Sequence, residues 1–326
     1  MMFLHENSMG APCAERFPAM KPEPYHAPVL RDEVAALLAP APGKIFVDGT
    51  LGGGGHSEAF LQAGARVIGL DQDADAIAFA KKRLAWAGEN FRAVQANFAD
   101  AAEALNRLGI EKIDGALLDL GVSSWQLDTA ERGFSFMQNG PLDMRMNTSG
   151  PVTAADIVNH ASGEQLERIF RNFGEEQAAR RVALRIVRDR LQKPFATTFD
   201  LVRTIESVVP RRGKTHPATR IFQALRIAVN RELDVLAEGL EQFAIRLGSR
   251  GRFGVITFHS LEDRAVKTFF KQRSVEFLDR PEWPAPRPNP DFLFRSITRR
   301  AAVAGEAEQK NNPRSRSAKL RVVEKI

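Results

Sequence analysis

The chain has 326 residues, of which 44% are hydrophobic and 26% charged, so it is long enough for about two domains of ordinary globular composition. No stretch approaches the roughly 18 uninterrupted apolar residues that a membrane span needs, and the first 24 residues lack the pattern of a secretory signal. The single cysteine, Cys13, excludes structural disulfides, cysteine-ligated zinc and iron–sulfur clusters. We therefore expect a cytoplasmic protein in which residues 1–25 form a flexible extension.

The net charge of +6 is unevenly distributed along the chain. Residues 26–145 carry 11 basic against 16 acidic residues, a net charge of −5. Residues 180–226 carry 12 basic against three acidic residues, a net charge of +9, and residues 287–326 carry a net charge of +6. A polyanion that meets the second half of the chain would explain this asymmetry. A solvated arginine-rich face explains it equally well.

Residues 44–120 alternate between strand and helix patterns. Short apolar runs predict strands at 44–48, 66–71, 91–95 and 114–119. Two segments, 57–63 and 74–87, predict helices that end at Gly64 and Gly88. Strands that alternate with helices of this length imply a parallel sheet covered on both faces, so an α/β fold is expected.

From about residue 153 to residue 247 the pattern becomes helical. Apolar residues from Phe222 to Leu240 recur at helical spacing and predict one continuous stripe. Further upstream, Leu184, Val187 and Leu191 are expected to form an apolar helix face. Three arginines are expected on another face of that helix: Arg181, Arg185 and Arg188.

Strand signals return after the helical segment. Residues 252–258 predict a fifth strand, and Ser260 is expected to open the next helix through a capping box. Residues 292–298 and 319–325 predict two closing strands, and the proline-rich segment 281–290 predicts an extended loop. The simplest architecture is one α/β domain formed by residues 26–145 and 248–326, interrupted by a helical, basic insertion at residues 146–247.

A glycine cluster follows the first predicted strand, where the backbone can approach a ligand closely. The dehydrogenase fingerprint Gly-x-Gly-x-x-Gly fails here, because Ser57 or Glu58 stands where the third glycine is needed. The segment reads Asp48-x-x-x-Gly52-x-Gly54 and resembles the first motif of S-adenosylmethionine methyltransferases. An acid at that position can assist the ammonium group of this ligand, whereas it would repel a pyrophosphate. A tight turn without any ligand is the plain alternative.

Polar and aromatic residues at the strand ends are candidates for the site. Asp71 can accept hydrogen bonds from both ribose hydroxyls of a nucleoside, although it could also be a turn residue. Phe98 is placed to lie against an adenine face or in the core. Asp119 ends the fourth strand, where substrate and cofactor should meet. His259 follows the fifth strand and is a catalytic candidate, with a hydrogen-bonded structural role as the alternative.

Methyl transfer from a sulfonium needs alignment and desolvation more than a strong base or a metal. Methylation at carbon 5 of a pyrimidine would need a cysteine nucleophile, and Cys13 lies in the extension. An exocyclic nitrogen or a hydroxyl oxygen is therefore the expected acceptor. The segment Asp119-Leu-Gly-Val-Ser-Ser124 lacks the prolines that amine methyltransferases often carry after this strand. Asp119, as a catalytic candidate, and backbone carbonyls near Leu120 are the groups that could activate an amine.

Nine segments between His26 and Ile326 form a pattern that is far more specific than a glycine motif. They are His26-Ala-Pro-Val-Leu30, Asp48-Gly-Thr-Leu-Gly-Gly-Gly-Gly-His-Ser57, Leu117-Leu-Asp-Leu-Gly-Val-Ser-Ser124, Glu131-Arg-Gly-Phe-Ser-Phe136, Gly140-Pro-Leu-Asp-Met-Arg-Met146, His216-Pro-Ala-Thr-Arg220, Phe222-Gln-Ala-Leu-Arg-Ile-Ala-Val-Asn230, Phe258-His-Ser-Leu-Glu-Asp-Arg264 and Asn312-Pro-Arg-Ser-Arg-Ser-Ala-Lys-Leu-Arg321. This combination closely resembles the RsmH (MraW) family, which methylates N4 of a cytidine in the decoding region of bacterial 16S rRNA.

The resemblance implies a class I S-adenosylmethionine methyltransferase sheet, which is Rossmann-like, with an all-helical domain inserted after the fourth strand. It implies S-adenosyl-L-methionine as cofactor and 16S rRNA of the small ribosomal subunit, at the P site, as partner, and it allows a homodimer. The implied cofactor contacts are Gly54, Gly55, His56, Asp71, Phe98, Asp119 and Gln126. No metal is expected, because His56 lacks partner ligands at a useful spacing.

Basic residues of the insertion are expected to bind rRNA phosphates. The candidates are Arg181, Arg185, Arg188, Arg211, Arg212 and Lys214. Three alternatives stay open: a methyltransferase that acts on an amine of DNA, an oxidoreductase that binds a dinucleotide, and a non-enzymatic RNA-binding assembly factor.

Overall fold

The computed structural model of the protein describes residues 28–211 and 216–326. The predicted extension at residues 1–25 and the RNA-binding candidates Arg212 and Lys214 lie outside the described residues.

Strands and α-helices cover most of the described chain. The strands are β1 (Ile45–Asp48), β2 (Arg66–Asp71), β3 (Phe91–Gln95), β4 (Ile113–Asp119), β5 (Leu247–Thr257), β6 (Phe277–Leu278), β7 (Arg287–Pro288), β8 (Phe294–Ser296) and β9 (Lys319–Lys325). The α-helices are α1 (Arg31–Leu38), α2 (Gly55–Gln62), α3 (Ala74–Arg83), α4 (Ala101–Arg107), α5 (Ser124–Asp128), α6 (Ala154–His160), α7 (Gly163–Gly174), α8 (Ala179–Asp189), α9 (Thr198–Glu206), α10 (Ala218–Asn230), α11 (Glu232–Arg246), α12 (Ser260–Arg273) and α13 (Glu306–Asn311). Among the helices of residues 28–211 and 216–326, none combines the length and the apolar character needed to cross a membrane.

Seven strands form one mixed sheet in the order β3-β2-β1-β4-β5-β9-β8. Strands β1 to β5 run parallel, whereas β9 is antiparallel to its neighbours β5 and β8. The buried run 67–70 in β2 is typical of such strands, because a parallel strand covered on both faces has no polar side. The predicted α/β fold is confirmed, with the closing strands where they were expected. A short β6–β7 hairpin reaches into the segment that was predicted as an extended loop.

The sheet has a topological switch point beside β1. The chain continues from β1 towards β2 and β3 on one side, and later towards β4 and β5 on the other. In the register of the sheet, Asp48 of β1 pairs with Gly69 of β2 and with Leu117 of β4. Because the carboxyl ends of parallel strands share one edge, the acids that end β2 and β4, Asp71 and Asp119, reach the crevice where α/β proteins bind ligands.

Alternate side chains of the strands fill two separate cores. Val47 and Ile68 belong to the core on the face covered by α4, α11 and α12. Phe46 and Val67 belong to the core on the opposite face, which α1 and α2 cover. This division follows from the two-residue period of a strand, and it holds both faces of the sheet away from water.

The helices α6 to α10 build a third core of their own. It includes Phe170 of α7 and Leu225 of α10, and it already begins with Phe134, upstream of α6. Helix α11 does not contribute to this core, because its Phe243 packs against the sheet. The predicted insertion at residues 146–247 stays a prediction, and the packing favours a unit that begins earlier and ends with α10.

The predicted single helical stripe from Phe222 to Leu240 is wrong, because the helix breaks at Arg231. This residue adopts a left-handed conformation with φ of 50°, which ends α10 immediately before α11 begins. Phe222 therefore packs in the helical core, whereas Leu240 packs in the core of the sheet. A regular apolar spacing along the sequence therefore does not show that the residues lie on one continuous helix.

The apolar face that was predicted for α8 is also wrong. Leu184 and Leu191 are 58% and 83% exposed, and the helix buries Val182, Ala183 and Ile186 instead. The buried residues recur at helical spacing and face α7 and α9. Of the predicted face, only Val187 packs partly against the helical core, and the two leucines lie on the solvent side.

The capping box predicted before α12 is present, but it begins one residue earlier than expected. The N-cap is His259, whose Nδ1 accepts the backbone N–H of Glu262 at 3.4 Å. The carboxylate of Glu262 accepts the backbone N–H of Phe258 at 2.7 Å and that of His259 at 3.3 Å. Ser260 does not act as the cap, and its Oγ donates to Glu175 at 2.8 Å.

Candidate active site

A cavity of about 410 Å³ opens at the carboxyl edge of the sheet. Its walls come from the glycine turn after β1, the ends of β2 and β4, and the junction of α10 with α11. Residues far apart in the sequence, such as Pro28 and Arg314, also line it. Such a position, at the switch point of the sheet, is where α/β folds bind nucleotides.

The glycine turn is shaped by contacts behind the cavity wall. Gly54 has φ of +77°, and a Cβ built on it would lie 2.9 Å from Cδ1 of Leu84, so only glycine fits. Nη1 of Arg83 donates to the carbonyl of Gly53 at 3.0 Å and fixes the turn from one side. Gly55 lines the cavity, whereas Gly54 does not. The predicted cofactor contact at Gly54 stays a prediction.

Asp48 stabilises the turn from inside the protein. It is 1% exposed, and its carboxylate accepts hydrogen bonds from Ser57 Oγ at 2.8 Å and from the backbone N–H of Thr50 at 3.3 Å. Burial raises the pKa of this carboxyl. Asp48 is not among the residues that line the cavity, so the expected contact between this acid and a ligand ammonium is not supported. It anchors the start of α2 instead.

Asp71 lines the cavity and is held by two backbone amides. Its Oδ2 accepts the N–H of Gly52 at 2.8 Å, and its Oδ1 accepts the N–H of Asp73 at 2.9 Å. Burial raises the pKa of Asp71 to about 6, against the lowering effect of these two hydrogen bonds. A carboxylate has about four acceptor positions, so each oxygen can accept one further hydrogen bond from a ligand.

His56 and Asp119 face each other in the cavity wall. The Nε2 of His56 lies 3.6 Å from Oδ2 of Asp119, and the backbone N–H of Asp119 donates to Thr50 Oγ1 at 2.6 Å. Within the described chain, both ring nitrogens of His56 and Oδ1 of Asp119 are buried without a hydrogen-bond partner. Buried polar atoms without partners are uncommon, so this part of the cavity fits a ligand with its own donors and acceptors.

The far wall of the cavity contains an aromatic ring next to two amides. A Cβ built on Gly239 of α11 would lie 2.4 Å from Cδ2 of Phe98, so the ring packs directly on the backbone of α11. Nδ2 of Asn97 donates to Oε1 of Gln72 at 3.2 Å. All three of Gln72, Asn97 and Phe98 line the cavity, and together they offer the flat apolar surface and the polar edge that a nucleobase needs.

A buried hydrogen-bond network that the sequence did not reveal connects the loops around the cavity. Asp73 Oδ2 accepts hydrogen bonds from Nε2 of Gln126 at 2.9 Å and from Nη1 of Arg132 at 2.7 Å. Nη2 of Arg132 donates to the carbonyl of Met146 at 2.9 Å. Gln126 lines the cavity, where a cofactor contact was predicted for it. Both polar atoms of its side-chain amide already form hydrogen bonds within the protein, because Nε2 donates to Asp73 and Oε1 accepts the N–H of Ser123. Its geometry is that of a positioning residue.

Four charged or titratable side chains meet where α10, α11 and α12 begin or end, and we call them the Arg226 cluster: Arg226, Glu232, His259 and Glu262. Nε and Nη2 of Arg226 each donate to Glu232 at 2.8 Å. The Nε2 of His259 lies 3.1 Å from Oε1 of Glu262. Burial would raise the pKa of Glu262, but the hydrogen bond and charge of His259 and the charge of Arg226 hold it below its usual value.

The Arg226 cluster bears on two sequence predictions. Ligand atoms of Glu232, His259 and Glu262 lie within 4.8 Å of one another, a spacing that could hold a metal ion. The guanidinium of Arg226 already neutralises these carboxylates and would repel a second cation, so we favour an ion-pair cluster. The expected absence of a metal stays a prediction.

His259 does not line the cavity and reaches it only through Glu262, so its geometry favours positioning over catalysis.

The structure places the RNA-binding candidates in different surroundings. Arg181 and Arg188 are exposed on α8, and Arg185 is half-buried and bonded to Asp189 at 2.7 Å. These three arginines, which we call the α8 arginine face, lie opposite the buried side of the helix. Arg211 is exposed and lines a second groove on the helical unit.

Fold and site together define the class of the protein. A parallel sheet with antiparallel β9 beside β5, and a cavity at its switch point without the dinucleotide fingerprint, is the class I methyltransferase architecture. The chain belongs to the MraW methylase family, whose model matches residues 23–326. This membership argues against the oxidoreductase alternative.

Relatives extend the match over nearly the whole chain. A protein named ribosomal RNA small subunit methyltransferase H from Trichlorobacter lovleyi is 48% identical, over 93% of this chain and 98% of its own. A protein of the same name from an Anaeromyxobacter species is 50% identical, over 94% of this chain and 100% of its own. Among solved structures, an rRNA methylase from Streptococcus thermophilus is 12% identical, over 91% of this chain and 93% of its own, with a TM-score of 0.41. The family assignment rests on the sequence matches.

Proposed function

We propose that the protein transfers a methyl group to the exocyclic N4 of a cytidine in 16S rRNA, in the decoding region at the P site of the small subunit. The relatives support the class of substrate, because proteins about half identical over more than nine-tenths of the chain are named as methyltransferases of small-subunit ribosomal RNA. The resemblance of the sequence motifs to the family supports the particular cytidine.

The methyl donor is S-adenosylmethionine, which supplies an electrophilic methyl group when bound. The residues of the cavity fit this group. The turn that ends at Gly55 brings the backbone close to the ligand, and Asp71 has acceptor positions left for two ribose hydroxyls. The ring of Phe98 offers an apolar face for the adenine.

The observation that carries the proposal is Asp119, which lines the cavity with a side chain that is 24% exposed, so its accessible carboxylate oxygen can accept a hydrogen bond from a ligand. An exocyclic amine is a donor that can fill this position, and a hydrogen bond to Asp119 orients the nitrogen towards the methyl group. Bound S-adenosylmethionine would supply the methyl group and leave as the thioether, while Asp119 would hold the amine and accept the proton that the amine releases. N4 normally lies in a base pair, so the cytosine must be unpaired or turned out of its stack to enter.

Attack through a protein thiol has no support in this chain. Residues 28–211 and 216–326, from which the described cavity is built, contain no cysteine, and the single cysteine, Cys13, lies outside the described residues. Methylation at carbon 5 of the ring would need such a thiol. Direct displacement on an exocyclic nitrogen needs none.

The test is to map the modified base. Small subunits from cells that lack the protein are incubated with the protein and labelled S-adenosylmethionine, and the rRNA is digested and analysed by mass spectrometry. We expect N4-methylcytidine at one position and no label in duplex DNA. Asp119→Asn should lower turnover about 10²-fold, whereas the exposed Asp100→Asn should not. A methyl group on another atom, or preferential labelling of DNA, would reject the proposal.

A further inference from the structure

A second groove, separate from the active-site cavity, lies on the helical unit. Its volume is about 700 Å³, and its lining combines apolar and basic side chains: Phe136, Met137, Phe199, Val202, Arg203, Glu206, Arg211, His216 and Thr219. We propose that this groove binds an unpaired base of the RNA substrate by stacking. The proposal rests on the proposed function, and it adds a recognition site for single-stranded RNA.

The groove contains a flat platform that is already fixed in place. The rings of Phe136 and His216 stack with centroids 4.9 Å apart and planes 21° apart. Phe136 in turn packs edge-on against Phe222 of the helical core, with centroids 5.4 Å apart. The Nδ1 of His216 accepts the N–H of Ala218 at 3.1 Å, and its Nε2 lies 3.1 Å from Oε1 of Glu206. Both ring nitrogens therefore hold the imidazole in one orientation, which lowers the entropic cost of stacking a base on it.

Large apolar side chains remain exposed in this groove. Met137 is 75% exposed and Phe199 is 37% exposed. Thr198 Oγ1 donates to the carbonyl of Gln138 at 2.8 Å and accepts the N–H of Gly140 at 3.2 Å, so the loop is tied to the start of α9. Exposed apolar side chains that line one groove, rather than lying scattered over the surface, mark a candidate binding site.

The charge around these rings favours an RNA strand over an apolar protein segment. Arg203, which pairs with Asp200 at 2.6 Å, and Arg211 line the groove together with the acid Glu206, and the segment 180–226 of the sequence carries a net charge of +9. Basic side chains beside exposed rings form the usual binding surface for single-stranded nucleic acid, because the rings stack bases while the cations contact phosphates. Because the proposed acceptor cytosine must be unpaired, the substrate supplies single-stranded RNA, and the groove takes a base of that RNA.

The experiment measures binding to a 12-nucleotide single-stranded RNA with a central 2-aminopurine, whose fluorescence falls on stacking, and to an RNA duplex of the same length. Phe199→Ala should weaken single-strand binding about five-fold or more and should reduce the quenching. Phe199→Trp should preserve both, because the indole still stacks. Leu191→Ala is the matched control, since Leu191 is 83% exposed but lies outside the groove.

Two results would overturn the inference: single-strand affinity that is unchanged in Phe199→Ala, or an equal loss for single strand and duplex. A loss of self-association in the variant, measured by sedimentation, would also overturn it and assign the groove to a second copy of the chain. Methylation of small subunits is measured separately with the same variants, and Phe199→Ala should raise KM more than it lowers kcat. If the wild-type protein methylates 16S rRNA but its RNA binding does not depend on the groove, only the inference about the groove is rejected. If RNA binding depends on the groove but the protein does not methylate 16S rRNA, only the proposed function is rejected.

Discussion

Asp71 has a pKa of about 6 in the folded protein, so its charge changes in a pH range where binding is easily measured. Burial raises this pKa from its usual 3.8 to about 6, which corresponds to roughly 3 kcal/mol in favour of the neutral form. Only the carboxylate can accept hydrogen bonds from two ribose hydroxyls while it also holds two backbone amides. Cofactor affinity should therefore depend on the ionised fraction of this one group.

The size of the effect follows from that fraction. With a pKa of about 6, roughly nine-tenths of Asp71 is ionised at pH 7 and roughly one-tenth at pH 5. The dissociation constant of S-adenosylmethionine should accordingly rise about ten-fold between pH 7 and pH 5. Asp71→Asn should bind more weakly at pH 7, by about 1.5–3 kcal/mol, and should lose this part of the pH dependence.

Isothermal calorimetry at several pH values between 5 and 7 tests this reasoning. His56 also lines the cavity, but it is present in both proteins, so the comparison with Asp71→Asn removes its contribution. An identical pH slope in wild type and variant would refute the assignment of Asp71 to the ribose site. The stability of the free protein provides an independent check, because the folded pKa is raised. The contribution of Asp71 to the free energy of unfolding should be full below about pH 4 and lost as the pH rises through about 6.

Three further predictions concern other parts of the protein. Arg132→Ala should lower the free energy of unfolding by about 3–5 kcal/mol in urea titrations, because the substitution leaves the buried Asp73 without its cation. A loss below about 1 kcal/mol would contradict the stabilising role of this ion pair. Charge reversal of the α8 arginine face should reduce the affinity for small subunits and flatten the salt dependence of that affinity, while cofactor binding stays intact. An unchanged salt dependence would show that this face is an ordinary solvated surface. Cys13→Ser should leave turnover unchanged, and an RNA with 5-fluorocytosine at the target should form no covalent adduct, so a stable adduct in mass spectrometry would contradict direct displacement.

The strand ends were the most predictable part of the site. Apolar runs locate the first four strands within one residue, although β5 begins five residues before its predicted start, and the parallel topology then brings the carboxyl ends of these strands to one edge. Asp71, Phe98 and Asp119 were predicted by this reasoning and all line the cavity. The position of Asp48 at the end of β1 was equally clear, yet the sequence could not show that the hydroxyl of Ser57 would donate a hydrogen bond to its carboxylate.

The residues that sequence reasoning missed depend on partners far away in the chain. Arg132 lies 59 positions from Asp73, and no local pattern indicates that they meet. His259 was not recognised as a helix cap because serine, threonine, aspartate and asparagine are the usual residues there, and Ser260 stands next to it. The wrong face of α8 has a different origin, since apolar spacing alone does not distinguish a buried leucine from an exposed one.

The break at Arg231 explains how the helical unit and the sheet share one cavity. Nδ2 of Asn230, the last residue of α10, donates to the carbonyl of Met144, and its Oδ1 accepts the N–H of Met146, both at 2.8 Å. One turn earlier on the same helix, Arg226 crosses the break and binds Glu232 at the start of α11. In a continuous helix, Arg226 and Glu232 would be six positions apart and would lie on different faces, so they could not meet as they do across the break. The left-handed residue therefore joins the end of the helical unit to the cavity at the edge of the sheet, where Asn230 and Glu232 both form part of the wall.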